Sequence, residues 1–128
     1  MIPISIRHHL PFVEVQLYDK GKTLVLPHVL LDSGSAGSVF DIDAVMDIGV
    51  EAQPDDTIRE MVGVGGGIEY VIEKTIEGIA VGDLVVRPFR IQVGALDYRI
   101  QMSGILGFDF LQQAGAMINF KTLEIGKF

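Results

Sequence analysis

One carboxylate stands out in the sequence because it directly follows a strongly apolar segment. Val29, Leu30 and Leu31 precede Asp32, and two serines and a glycine follow it. An acid at the end of a core strand needs hydrogen bonds or a charged partner to offset its desolvation. Asp32 is therefore the first candidate for acid–base chemistry. Taken alone, Asp-Ser-Gly-Ser is more typical of a tight turn without catalytic function.

Two glycine-containing segments farther along the chain strengthen this interpretation. The first is the run Gly63–Gly67, which lies between apolar segments that favour the two arms of a hairpin. Its glycine spacing differs from the Gly-x-Gly-x-x-Gly of a phosphate loop, and no helix is predicted to follow it. The second segment is Gly104-Ile105-Leu106-Gly107, which leads into a short predicted helix.

In this order and spacing, the three segments resemble those of retropepsin-like aspartic proteases. Asp32-Ser33-Gly34 is similar to the Asp-Thr/Ser-Gly motif of that family, and residues 60–68 resemble its flap. Ile105-Leu106-Gly107 is similar to the apolar-apolar-Gly signature before the C-terminal helix. The resemblance covers nearly the whole chain and implies a mostly β fold: a closed acid-protease barrel with one or two short helices, formed by residues 1–128 as a single domain.

The resemblance also implies roles for individual residues. Asp32, Ser33 and Gly34 would form the catalytic motif, with the Ser33 hydroxyl hydrogen-bonded across a dimer. Substrate would be bound by a larger set that combines the fourth loop residue, the flap and one strand residue: Ser35, Gly63, Val64, Gly65, Gly66, Gly67, Ile68 and Ile105.

The chain contains a single Asp-Ser/Thr-Gly motif, whereas this chemistry requires two carboxylates. We therefore expect a homodimeric aspartic endopeptidase in which each subunit contributes one Asp32. Water would be the nucleophile, a polypeptide the substrate, and no metal or organic cofactor would be needed. One alternative is a retropepsin-like dimer that binds or assembles peptides with little hydrolysis. Another is an unrelated small β-barrel binding module.

The sequence departs from the retroviral members of the family at two positions together. Those proteins usually carry an acid four residues after the catalytic Asp and an Arg just after the apolar-apolar-Gly signature. Here the two positions hold Ala36 and Phe108. We expect an apolar contact in place of the ion pair, which costs little net stability. Asp109, the next residue, is expected to be a helix-start carboxylate that interacts with the helix dipole.

Hydrophobic alternation and turn residues predict the elements that position these segments. Phe12–Leu17 and Thr23–Leu31 are predicted to form a hairpin, and Ile58–Lys74 a second one. A short helix is expected over Asp41–Ile48 and another over Phe108–Gln113. The remaining strands are predicted at four places: Lys74–Val81, Leu84–Val93, Met117–Phe120 and Leu123–Ile125.

Composition excludes several other classes of function. The net charge of −7, without a basic stripe, disfavours binding to nucleic acid or an anionic membrane. The absence of cysteine excludes a disulfide framework, a thiolate nucleophile and a cysteine metal site. The apolar stretches are shorter than the roughly 20 residues of a membrane span, and no signal peptide is recognisable, so a cytoplasmic protein is expected.

Overall fold

The computed structural model describes residues 1–62, 68–96 and 100–128, and these residues form mainly β-strands. The strands are β1 (Ile2–Pro3), β2 (Ser5–Arg7), β3 (Leu10–Asp19), β4 (Lys22–Leu31), β5 (Val39–Asp41), β6 (Ile58–Val62), β7 (Ile68–Ile76), β8 (Gly78–Val81), β9 (Leu84–Val86), β10 (Phe89–Gly94), β11 (Gly104–Leu106), β12 (Met117–Asn119) and β13 (Glu124–Gly126). The helices are α1 (Ile42–Val45), a 3₁₀ helix (Met46–Ile48) and α2 (Phe108–Ala114).

The strands form two sheets. The larger one has the order β6-β7-β10-β5-β11-β4-β3-β8-β9, with β2 paired to β3. The smaller one has the order β1-β13-β12. The mostly β fold with two short α-helices is as predicted. Among the described residues, however, the large sheet follows an open path from β6 to β9 rather than the expected closed barrel.

The predicted first hairpin consists of β3 and β4. Val13, Val15 and Leu17 are buried while Glu14 between them is exposed, so β3 turns one face to the core. The connecting turn has positive φ at Lys20 (52°) and Gly21 (73°), which matches the right-handed twist of the flanking strands. Asp32 directly follows β4, the second strand of this hairpin.

At the centre of the large sheet, β11 lies between β4 and β5. Strand β11 runs parallel to β4, pairing Gly104 with Val29 and Leu106 with Leu31. It is antiparallel to β5 on its other side, where Ile105 pairs with Val39. Because β4 and β11 are parallel and in register, the residues that follow them, Asp32 and Gly107, leave the sheet at the same edge.

The hydrophobic core includes residues of these three central strands. Helix α2 packs against β10 through Phe110. Its ring contacts that of Phe89 edge to face, with the ring centroids 6.0 Å apart. The largest fully buried side chains are Phe12, Phe40, Phe110, Leu17, Ile48, Ile76, Ile79, Leu84, Ile91, Leu106, Ile125 and Val13. The segment that contains Asp32 thus follows a strand that packs in the hydrophobic core.

Several element boundaries differ from the predictions. The predicted strand Leu84–Val93 is two strands, interrupted at Pro88, which has no N–H to donate to a sheet. The predicted strand Lys74–Val81 is likewise divided between β7 and β8. Met117–Phe120 and Leu123–Ile125 correspond to β12 and β13. No helix among the described residues has the length and apolar character needed to cross a membrane.

The predicted helix Asp41–Ile48 consists of α1 followed by the 3₁₀ helix, and it ends at Gly49 with φ 77°. Asp41 occupies the N-cap position but makes no cap hydrogen bond with its side chain. Its Oδ1 instead accepts a hydrogen bond of 3.2 Å from the backbone N–H of Leu96. The carboxylate therefore ties the helix start to the segment after β10.

Candidate active site

Asp32 begins the loop that follows β4 and is half-buried. Its backbone N–H donates to the carbonyl of Leu106 at 3.0 Å, which extends the β4–β11 pairing by one residue. Its Oδ1 accepts a hydrogen bond of 3.0 Å from the N–H of Gly34, and its carbonyl accepts one of 3.1 Å from the N–H of Ser35. The carboxylate is therefore fixed by its own loop while part of it stays accessible.

The next three residues face different surroundings. Ser33 and Gly34 are exposed, whereas Ser35 is half-buried. The Ser35 hydroxyl donates to the carbonyl of Gly37 at 2.8 Å, so this side chain is engaged within the loop. Asp32, Ser33 and Gly34, the three predicted catalytic residues, accordingly form the outward part of the loop.

The start of α2 supports this loop from behind. The N–H of Phe108 donates to the carbonyl of Ser35 at 2.7 Å. The N–H of Gly107 donates to the hydroxyl of Ser38 at 2.9 Å. Together with the hydrogen bond from Asp32 to Leu106, these contacts hold both ends of the loop against residues 106–108.

A buried hydroxyl–carboxylate pair completes the support. Ser38 is fully buried, and its hydroxyl donates to Oδ1 of Asp109 at 2.7 Å, while its N–H donates to Oδ2 at 3.1 Å. Asp109 also accepts the N–H of Phe110 at 2.8 Å, consistent with its expected place at the helix start. The sequence analysis missed the link to Ser38, because no local spacing relates residues that lie 71 positions apart.

Both glycines of the Gly104-Ile105-Leu106-Gly107 segment are required by close approach of other groups. A Cβ on Gly107 would lie 2.5 Å from the carbonyl oxygen of Gly37, and one on Gly104 would lie 2.5 Å from the ring of Phe40. Contacts this short are excluded for real side chains, so only glycine fits at either position. The segment thus packs closely against both the Asp32 loop and β5.

Ala36 and Phe108, the two positions at which we expected an apolar contact, both lie at the surface. Ala36 is exposed, and half of the Phe108 side chain is accessible to solvent. The loop and α2 are instead joined by backbone hydrogen bonds and by the Ser38–Asp109 pair. This polar tether lies two positions after Ala36 and one position after Phe108.

The predicted substrate-binding residues are located only in part. Strands β6 and β7 form the expected antiparallel hairpin, with Val62 paired to Ile68. The flap residues Gly63, Val64, Gly65, Gly66 and Gly67 lie outside the described residues, and Ile68 is described only as the first residue of β7. Ile105 is half-buried in β11, next to the strand that carries Asp32.

A cavity of about 590 Å³ adjoins the Asp32 loop at Ala36 and Gly37. Its other walls come from β6, β7, β10 and α2. Glu73 lies in this wall and is contacted by two guanidinium groups: Arg59 Nε at 3.1 Å and Arg90 Nη1 at 3.8 Å. Burial disfavours the ionised form of Glu73, but hydrogen bonds from Gln92 and Arg59 outweigh it and lower the pKa of the carboxyl group.

The described residues contain no group of three or more His, Asp or Glu side chains arranged to hold a metal ion. The groups present at the Asp32 loop are a carboxylate, hydroxyls and backbone amides. These groups can activate or orient a water molecule and bind an extended polypeptide.

Comparison with known proteins agrees with this geometry. The sequence profile of a family described as aspartyl protease matches residues 13–110, which include the Asp32 loop and end inside α2. No match is found among curated proteins. Among solved structures, a retropepsin-like aspartic protease from Rickettsia conorii matches with a TM-score of 0.66 and 16% sequence identity, covering 97% of this chain and 87% of that one. The chain is therefore a retropepsin-like member of the aspartyl protease family.

Proposed function

We propose that this protein is an aspartic endopeptidase that acts as a homodimer, with one Asp32 from each subunit in a shared catalytic dyad. The observation that carries the proposal is the Asp32 loop itself. Its carboxylate is anchored on a packed support by the bonds to Leu106 and Gly34, yet it stays partly accessible beside the exposed Ser33.

The need for a second subunit follows from the chemistry. One carboxylate must take a proton from water while a second, protonated carboxyl group polarises the substrate carbonyl. The chain has a single Asp-Ser-Gly motif, and Asp109, the nearest acid in the supporting segment, is engaged by Ser38 and Phe110. A two-fold axis beside Ser33 would bring a second Asp32 to the first.

The proposed reaction begins with attack of water on the carbonyl carbon of the scissile peptide bond. The ionised Asp32 takes one proton of this water, and the carboxyl group of the other Asp32 gives its proton to the carbonyl oxygen, so a tetrahedral diol forms. Collapse of the diol breaks the C–N bond as a proton returns to the leaving nitrogen. Because the two carboxyl groups share one proton, they titrate as a pair.

The substrate in this proposal is an extended polypeptide that lies between the Asp32 loop and the β6–β7 hairpin. Antiparallel strands that end in a glycine-rich connection can offer backbone amides to such a chain. Val64, Ile68 and Ile105 are proposed to contribute apolar contacts to its side chains.

A peptide-pool assay tests the proposal. The wild-type protein is incubated with peptides of diverse sequence between about pH 3 and about pH 7, a range chosen around the titration of a carboxyl dyad. The matched control is Asp32→Asn, which keeps the shape of the side chain but removes its ionisation. We expect internal cleavage by the wild type alone. Identical products from both proteins would contradict a catalytic role of Asp32, and no products from either would contradict the proposed activity and favour a peptide-binding dimer.

A further inference from the structure

The cavity next to the Asp32 loop has a strongly patterned floor. In the sheet order, β6, β7 and β10 are neighbours, and each contributes alternate residues to one face. Across β7 and β10, Glu73 pairs with Gln92 and Thr75 with Arg90. Arg59 reaches Glu73 from β6, at 3.1 Å. The cavity therefore has a continuous polar floor built on three paired strands.

The charges on this floor do not cancel. Glu73 is the inner group, with only 16% of its side chain exposed, whereas Arg59 and Arg90 are 56% and 64% exposed. One carboxylate thus pairs with two guanidinium groups, and both guanidinium groups keep N–H donors that face solvent. The floor carries a local excess of positive charge in a protein whose net charge is −7.

The other acids of the cavity wall, Glu60 and Asp109, add negative charge to it, but among the described residues neither forms an ion pair with Arg59 or Arg90. Asp109 is occupied by three hydrogen bonds from Ser38 and Phe110. Glu60 lies between Arg59 and Met61 on β6, and it pairs with Tyr70, which is 66% exposed on the opposite face of the hairpin. Strand alternation therefore directs the Glu60 side chain away from the floor.

The remaining wall is apolar or neutral. Met61, Pro88 and Phe89 line the cavity together with Ala36 and Gly37 of the Asp32 loop. A volume of about 590 Å³ is within the range of roughly 300–1,000 Å³ found for ligand pockets. The cavity thus suits a side chain with an aliphatic stem and an anionic end.

We propose that this cavity is a substrate subsite that selects an acidic side chain, preferentially Glu, through Arg59 and Arg90. The inference rests on the proposed peptidase function, since the Asp32 loop that would hold the peptide backbone forms one wall of the cavity. A carboxylate accepts hydrogen bonds from guanidinium in a geometry that an amide or an ammonium group cannot reproduce. Arg59 and Arg90 are specificity-determining residues in this proposal.

Binding is measured separately from cleavage, on the Asp32→Asn background, by fluorescence anisotropy. The peptides carry a single Glu, Gln or Lys moved stepwise along a common apolar sequence, and both termini are capped so that only the side chain supplies a carboxylate. We expect one position at which Glu binds about three- to tenfold more tightly than Gln, with Lys weakest. Higher salt should reduce this preference.

Charge reversal provides the decisive variant. With Arg90→Glu the floor holds two carboxylates against one guanidinium, so the order at that position should invert and favour Lys. The matched control is Lys121→Glu, an equal charge change at an exposed residue outside the cavity. Equal affinity for Glu and Gln in the unreversed protein, or a Glu preference that survives Arg90→Glu, would overturn the inference.

The cleavage assay separates this inference from the proposed function. If Asp32-dependent cleavage occurs without any preference for an acidic residue, the subsite is wrong and the peptidase stands. Should the charge-reversible preference appear in binding while the wild type cleaves nothing, the subsite stands and the peptidase is wrong. Failure of every peptide to bind would overturn the subsite directly.

Discussion

The hydroxyl of Ser38 lies 2.7 Å from Oδ1 of Asp109 and also accepts the N–H of Gly107 at 2.9 Å. A fully buried side chain thereby joins the end of the Asp32 loop to the first turn of α2. Every donor and acceptor in this small network has a partner, so removal of one member leaves the others unsatisfied in the interior. The precise placement of Asp32 depends on this link.

Ser38→Ala and Asp109→Asn should each lower the free energy of unfolding by about 1–3 kcal/mol, because a buried donor loses its acceptor or faces a second donor. Asp43→Asn is the matched control, since Asp43 is an exposed acid in the first turn of α1. It should cost only about 0.5 kcal/mol. Urea unfolding at one fixed protein concentration measures all three. An equal effect at Asp43 and Asp109 would show that Asp109 stabilises the fold only through the helix dipole and not through Ser38.

Gly107→Ala should destabilise the protein strongly, by about 3 kcal/mol or more, and abolish activity. The added Cβ would be placed 2.5 Å and 2.7 Å from the carbonyl oxygens of Gly37 and Ser35, both within the Asp32 loop. Gly37→Ala provides the comparison, because its Cβ would meet Gln92 at an ordinary 3.5 Å. Thermal unfolding of the two variants should differ clearly. Similar melting temperatures would show that the loop can move away from α2.

Ser33→Ala should weaken the proposed dimer. Ser33 is exposed, and within the described part of the chain its hydroxyl makes no hydrogen bond, which leaves it available to a partner subunit. The variant should lose activity mainly on dilution, and its dissociation should be detected by light scattering. Ser33→Thr retains the hydroxyl and should behave as the wild type. Loss of activity in Ser33→Ala without any change in dissociation would separate Ser33 from the interface.

Stability should fall at acid pH in part through Asp56. Its hydrogen bond from Lys74, with Nζ 2.6 Å from Oδ1, lowers the pKa of this carboxyl group, and the backbone N–H of Gln53 adds to the effect. The folded state therefore favours ionised Asp56. This stabilisation is complete above the unfolded pKa of about 4 and is lost as pH falls through the lower folded pKa.

Asp56→Asn should accordingly lower the melting temperature at neutral pH and make it less dependent on pH below about pH 4. Asp55→Asn, at the exposed neighbouring residue, is the control. Glu73 also has a lowered pKa and contributes a separate acid-dependent loss that both variants retain. If the pH profiles of the two variants coincide, Asp56 does not couple folding to protonation.

Much of this architecture could be predicted from local sequence. The β3–β4 hairpin and α2 with its glycine stop were predicted because alternation and turn residues act over short range. Strands β5 and β11 lie at the centre of the large sheet but could not be predicted. Each has only three residues, which is too few to show a hydrophobic period. Their pairing is fixed instead by the close approach of Phe40 to Gly104.

The candidate site divides in the same way. Asp32, Ser33 and Gly34 could be found because they are contiguous and resemble a family motif. Ser38 and Asp109 could not, since their relation exists only after β4, β5 and β11 have assembled. The charged floor of the cavity likewise draws Arg59, Glu73 and Arg90 from three strands that pairing brings together. Long-range contacts of this kind leave no spacing signal in the sequence.

The shared dyad is tested most directly by mixing active and inactive subunits. Wild type and Asp32→Asn are co-refolded in equal amounts at constant total concentration, and Asp43→Asn replaces the inactive variant in the control mixture. If each site needs both Asp32 residues, the random pairing of subunits leaves about one quarter of the wild-type activity, while the control mixture retains nearly all of it. Retention of about one half, as expected for sites that work independently in each chain, would contradict the account.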